Sequence, residues 1–182
     1  AVPGFILRRI EERLAESGLR LTVGATSFDP TGRILVQDAR LHLPAFAKPV
    51  VRIGALYLRL DRSSLLAGEV LPVELRVTGA SLEAPGQLTP SGRGEELLSS
   101  LDAVLVPGRH EIRIERLTGR SANLVITAHG AIPLPAAGKA PRLPWSDLIV
   151  DRFPEICRRI ISWQGELTRV REPGLDLTLA PA

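Results

Sequence analysis

VVRIGALYLRLDRSSLLAGEVLPVELRVTGASLEAP, residues Val50 to Pro85, decides how the rest of the chain is read. Two strand-like runs flank a short apolar hinge, Ser64-Leu65-Leu66-Ala67-Gly68. In the first run Val51 and Ile53, then Leu56, Leu58 and Leu60, recur every second residue, the spacing of a strand with one apolar face. The phase slips by one residue at Gly54-Ala55. A slip turns every later side chain to the other face unless a bulge absorbs it, and glycine tolerates bulge geometry. In the second run Val73, Leu75 and Val77 alternate with Glu74, Arg76 and Thr78, and Gly79-Ala80 interrupts as Gly54-Ala55 did.

The flanks carry the same alternation. Leu19 to Phe28 reads as a first strand, Asp29-Pro30-Thr31-Gly32 as a turn, and Arg33 to Leu43 as a second strand. That second strand carries Ile34 and Val36, then changes phase around Asp38. The predicted apolar face is therefore Ile34, Val36, Val51, Ile53, Leu56, Leu58, Val73, Leu75 and Val77. Burying each such side chain stabilises the fold by about 1.5–3 kcal/mol.

Pro3 to Ser17 is a predicted amphipathic helix with Ile6, Ile10 and Leu14 on one stripe and Gly18 as its stop. Glu83 to Gly94 reads as a loop. Glu95 to Leu105, with Leu97, Leu98, Leu101, Val104 and Leu105, fits a short helix. His110 to Leu117 and Ala122 to Ile132 are predicted strands joined by a turn at Gly119-Arg120-Ser121. Trp145 to Trp163 repeats Ile149, Phe153, Ile156, Ile160 and Trp163 at helical spacing, with Pro154 expected to kink or split it. Glu166 to Val170 and Leu175 to Leu179 close the chain as two short strands.

The expected fold class is α+β, a mainly antiparallel, twisted sheet capped by amphipathic helices, its apolar face either forming a groove or sealed by those helices. Three segments are expected: residues 1–132 as a helix-capped sheet domain, the Pro/Ala-rich linker 133–144, and residues 145–182 completing or extending the sheet.

A chain of 182 residues is long enough for one sizeable core. Methionine is absent, so the chain is expected to be a piece of a longer protein. No apolar run is long enough to cross a bilayer. The single cysteine, Cys157, excludes an internal disulfide. The net charge is only +3, and basic residues are scattered among acidic ones, as in Arg8, Arg9 and Arg13 beside Glu11, Glu12 and Glu16. A nucleic-acid binder would show a clustered basic stripe with aromatic platforms, so no nucleic-acid partner is expected.

The residues offer no catalytic constellation. His42, His110 and His129 lie in three separate runs without a second ligand at metal spacing. No serine stands in a Gly-x-Ser-x-Gly elbow. Gly92-Arg93-Gly94 is too short for a phosphate loop. Cys157, near the apolar face of the last helix, reads as a small buried residue rather than a reactive thiol. No enzyme, metal or cofactor is expected.

The ordered set Gly18-Leu19-Arg20-Leu21-Thr22-Val23-Gly24, residues 32–41 (GRILVQDARL), residues 51–60 (VRIGALYLRL), residues 64–68 (SLLAG) and residues 75–85 (LRVTGASLEAP) resembles the amino-terminal region of AsmA-like proteins. That superfamily includes the TamB-related, bridge-like lipid transporters. The resemblance covers Ile10 to Pro85. It implies a protein held to the inner membrane by an anchor upstream of this chain. Its body would form an elongated sheet in the periplasm whose groove carries phospholipid acyl chains in outer-membrane biogenesis. No catalytic residue comes with it. The nine apolar positions named above would line the groove.

Two arrangements fit that pattern. A strand of eleven residues spans roughly 35 Å, long enough to line an acyl chain. A sheet with one apolar face hides it under helices or under a ligand, and three amphipathic helices are expected. A different function fits too: an interaction or assembly module for an envelope protein, using a free sheet edge or the last helix.

Overall fold

The computed structural model describes residues 4–16, 18–67, 69, 71–122, 124–133, 144–167 and 174–179. In chain order its elements are α1 (Gly4–Ala15), β1 (Arg20–Thr22), β2 (Ala25–Asp29), β3 (Arg33–His42), β4 (Val51–Leu60), α2 (Arg62–Leu66) and β5 (Pro72–Ala84). A 3-10 turn at Gly86–Leu88 leads to β6 (Glu95–Pro107), β7 (Glu111–Ser121), β8 (Leu124–Pro133), α3 (Pro144–Leu167) and β9 (Gly174–Leu179). The strands form one open sheet in the order β1-β3-β4-β5-β6-β7-β8-β9, with β2 beside β1 on the same edge of β3. Every pairing is antiparallel except β8 with β9. This is the α+β, mainly antiparallel architecture that the alternation pointed to.

Local chemistry sets the joints. Gly18, at φ 75°, ends α1. Its N–H donates to Ala15 O at 2.9 Å and the Leu19 N–H to Leu14 O at 3.0 Å. These are the two bonds of a Schellman motif, and the apolar contact that accompanies it is Leu14 with Leu19, both in the core. Between β2 and β3, Asp29 Oδ1 accepts from the Thr31 N–H at 2.8 Å and Gly32 takes φ 88°. The hinge after β4 is helical because Asp61 Oδ2 caps it, accepting from the Ser64 N–H at 2.8 Å.

Several expectations are corrected. Residues 95–105 are not a helix but most of β6. Leu98 to Leu101 is a three-residue step that imitates a helical turn, but Ser100 sits there at φ 49°, a bulge conformation. Beyond it Leu101, Ala103 and Leu105 alternate as a strand. The first strand is two, broken between Thr22 and Ala25. β7 runs through Gly119-Arg120 to Ser121, so the turn falls later, at Ala122 (φ 51°). α3 is one helix with Pro154 inside it. Glu166 and Leu167 belong to α3, and residues 168–170 of the expected penultimate strand lie outside the described residues, as do 134–143 of the linker.

The phase slips are shared between neighbouring strands. Gln37 pairs with Ala55 and Ala39 with Ile53, so Asp38 lies opposite Gly54. Ala55 pairs with Thr78 and Ile53 with Ala80, so Gly54 lies opposite Gly79. Gly24 donates to Gln37 O at 3.0 Å on the other side, where the first strand breaks. A line of irregular residues thus crosses the sheet from Gly24 through Asp38 (φ 52°) and Gly54 to Gly79 (φ 61°). Each strand on the line inserts one residue at the same level, so the apolar side chains return to the same face beyond it. A lone slip would have turned them outward. Asp102 Oδ1 accepts from the Gly79 N–H at 2.9 Å, satisfying a donor that the bulge takes out of the ladder.

α1 and α3 share one core with the sheet. Leu14, Leu19, Leu43, Val50, Leu97 and Phe153 pack together with Cys157 and Ile160. Phe46 meets Phe153 with ring centroids 5.9 Å apart. The inward stripe of α3 is Phe153, Cys157 and Ile160, continued by half-buried Gln164; Ile156, expected on that stripe, is 44% exposed. On α1, Ile10 and Leu14 face inward as expected, and Ile6 lies outside the described side chains. Phe153, Cys157 and Ile160 of α3 lie in that core, and β9 pairs with β8 at the edge of the sheet.

Candidate functional site

Strand register builds one continuous apolar face. Ile34, Leu58, Leu75, Leu105 and Ile114 lie side by side in a row across β3 to β7. Val36, Leu56, Val77, Ala103, Leu117 and Ala128 form the next row, reaching β8. Across the line of bulges follow Ala39, Ile53, Ala80 and Leu101, and then Leu41, Val51, Leu82 and Leu98. None of these positions is charged or polar. At about 4.8 Å between strands, the row from β3 to β8 is about 24 Å long.

Eight of the nine residues named from sequence fall in these rows. Val73 lies where the β4–β5 register shifts between Arg59 and Leu60. Ile34 and Val36 are buried, and the other seven are half-buried. Sequence reasoning missed Ala103, Leu105, Ile114 and Leu117, the continuation of the face on β6 and β7. Their signal was the Leu101-Ala103-Leu105 alternation, masked by the step at Ser100.

The two core clusters take in only part of this face. Beyond the bulges, Leu41, Val51, Leu82 and Leu98 pack under α1 and α3. At the β3 end, Ile34, Val36 and Leu58 gather with Ile10 and with Leu65 of α2. Among the described residues, neither core cluster includes Leu75, Val77, Leu105 or Leu117. These four are half-buried, with Ala103 and Ile114 of the same rows buried between them, and they make an aliphatic patch about 10 Å across on strands β5 to β7.

The opposite face is polar. Arg59 meets Glu74 at 3.1 Å, Arg76 shares Glu74, and Arg52 meets Glu83 at 3.1 Å. Arg76 also lies over the Tyr57 ring, 5.9 Å from its centre. A pocket between the β3–β4 loop and the 3-10 turn is lined by Phe46, Lys48, Glu83, Gly86 and Gly92, but Glu83 there is already engaged by Arg52. The three histidines are dispersed: His42 on β3, His129 on β8 and His110 in the turn before β7. Burial pushes the Cys157 thiol up to about 11, which keeps it protonated and unreactive. No protein-family model, curated protein or solved structure matches this chain.

Proposed function

We propose that the β5 to β7 part of the inner face holds phospholipid acyl chains, and that this chain is a non-enzymatic lipid-binding or lipid-transfer module. On the resemblance to AsmA-like proteins, it would belong to a periplasmic protein anchored to the inner membrane and acting in phospholipid transport and outer-membrane biogenesis. The observation that supports the reading is the aliphatic surface at Leu75, Val77, Leu105 and Leu117, continuous with the core yet outside both clusters. Water against such a surface is unfavourable by about 25 cal/mol per Å². An acyl chain laid along the rows relieves that without any polar partner.

The rows carry no arginine at a fixed depth to read a phosphate, so binding is promiscuous among headgroups and weakly salt-dependent. Gentle purification followed by lipid extraction and native mass spectrometry tests this, with a photocrosslinking residue at Leu58 or Leu75. Co-purified phospholipid crosslinked at Leu75 supports the reading. A chain that carries none and crosslinks none, also within a longer form of the protein, overturns it and favours an envelope-protein docking module instead.

A further inference from the structure

The polar face carries a feature that the inner face does not explain. Arg40 and Arg52 stand directly opposite each other across the β3–β4 ladder, and Arg20 pairs in register with His42, two residues along β3 from Arg40. Directly opposed like charges are destabilising. Elsewhere on this face the arginines near them are compensated: Arg59 and Arg76 share Glu74, and Arg33 lies opposite Asp29. Arg52 has Glu83. Among the described residues, Arg20 and Arg40 have no carboxylate within ion-pair distance, and both are exposed. Half-buried His42 reports the same excess: burial, then the charges of Arg20 and Arg40, push its pKa below the usual value. Its Nδ1 has no hydrogen-bond partner among the described residues.

We propose that Arg20 and Arg40, with Arg52 beside them already paired to Glu83, form a docking surface for an anionic lipid bilayer, on the face opposite the aliphatic rows. The two unpaired guanidinia project from adjacent strands about 4.8 Å apart, next to the Glu83-paired Arg52. Such a group meets more than one phosphate where they lie side by side, as on a bilayer surface. A nucleic-acid surface would add stacking platforms, and the aromatic ring on this face near them, Tyr57, is covered by Arg76. The inference is independent of what occupies the inner face.

Co-sedimentation of the whole chain with phosphatidylcholine vesicles, with and without about a third of phosphatidylglycerol, tests it. Basic residues near an anionic surface each strengthen binding about fivefold. Binding is therefore expected only with the anionic lipid, weakened steeply between about 0.05 and 0.5 M salt. Arg20→Gln with Arg40→Gln should reduce it about tenfold or more, while Arg93→Gln, on an exposed loop, leaves it unchanged. Circular dichroism melts confirm that the variants fold. Equal binding to neutral and anionic vesicles, no binding to either, an unaffected double variant, or preference for a single-stranded oligonucleotide would each overturn the proposal. Since acyl-chain capture is insensitive to salt and to these arginines, its failure is separable from failure here.

Discussion

Gln164 Nε2 donates to the Ser121 hydroxyl at 2.7 Å, and Ser121 Oγ in turn donates to Leu97 O at the same distance. One side chain from α3 thus closes a hydrogen-bonded chain across β7 and β6, beneath the helix. Ser121 is 1% exposed, so its hydroxyl has no recourse to water. Gln164→Leu leaves that hydroxyl short of a donor and should destabilise the fold by about 1–3 kcal/mol. Chemical denaturation of Gln164→Leu and Ser121→Ala, with their double variant, checks it. The double variant should cost less than the sum of the single ones, because the two groups share one network.

Covered and uncovered parts of the apolar face should respond differently to charge. Leu14 is 3% exposed in the shared core, and Leu14→Asp should lower stability by several kcal/mol, since an unpaired carboxylate is costly to bury. Ile10→Asp should act in the same direction. Leu75→Asp, half-buried and outside both clusters, should cost less than Leu14→Asp. Equal losses at Leu14 and Leu75 in thermal melts would mean that the β5–β7 surface is sealed.

The line of bulges is crowded at Gly54. A Cβ there would lie 3.3 Å from Thr78 O and 3.4 Å from Gly79 O, both backbone atoms. Gly54→Val should destabilise by about 1–3 kcal/mol, more than Gly94→Val, whose Cβ would meet only Ala84 O at 3.7 Å. A urea titration of the two variants separates them.

Cys157 gives a pH dependence with a definite sign. Its folded pKa is raised from 9.0 to about 11 by burial. An unfolded thiol releases its proton near its ordinary value while the folded one keeps it, so the unfolded chain binds fewer protons in between. That component of stability is fully present below about pH 9 and is lost as the pH rises toward 11. Melting temperatures should fall less steeply across this window in Cys157→Ala than in the parent. The folded thiol should also resist a disulfide reagent at pH 8.

What the sequence disclosed follows its local periodicity. β3, β4 and β5 were legible because Ile34-Val36, Leu56-Leu58 and Leu75-Val77 alternate with polar residues, and their slips fell on Gly54 and Gly79, where glycine marks an irregular backbone. β6 was misread because the Leu98-Leu101 step at Ser100 has the spacing of a helix turn. On α3 the period located the helix but not the rotation of its stripe: Cys157 and Gln164 face inward while Ile156 does not. The Arg20, Arg40 and Arg52 cluster was invisible for a different reason. These residues are distant along the chain, and only strand register sets them side by side.

The alignment of Gly24, Asp38, Gly54 and Gly79 makes the sheet behave like text read in frame. Deleting Gly54 alone would turn Ile53 and Val51 inside out relative to their partners Ala39 and Leu41. Deleting the four aligned residues together would restore the frame among β3, β4 and β5, but β6 would keep its own extra residue at Ser100 and fall out of frame with β5. Insertions and deletions here are therefore admissible only as a coordinated set, and a strand that joins this part of the sheet must carry a matching extra residue nearby, as β6 does at Ser100.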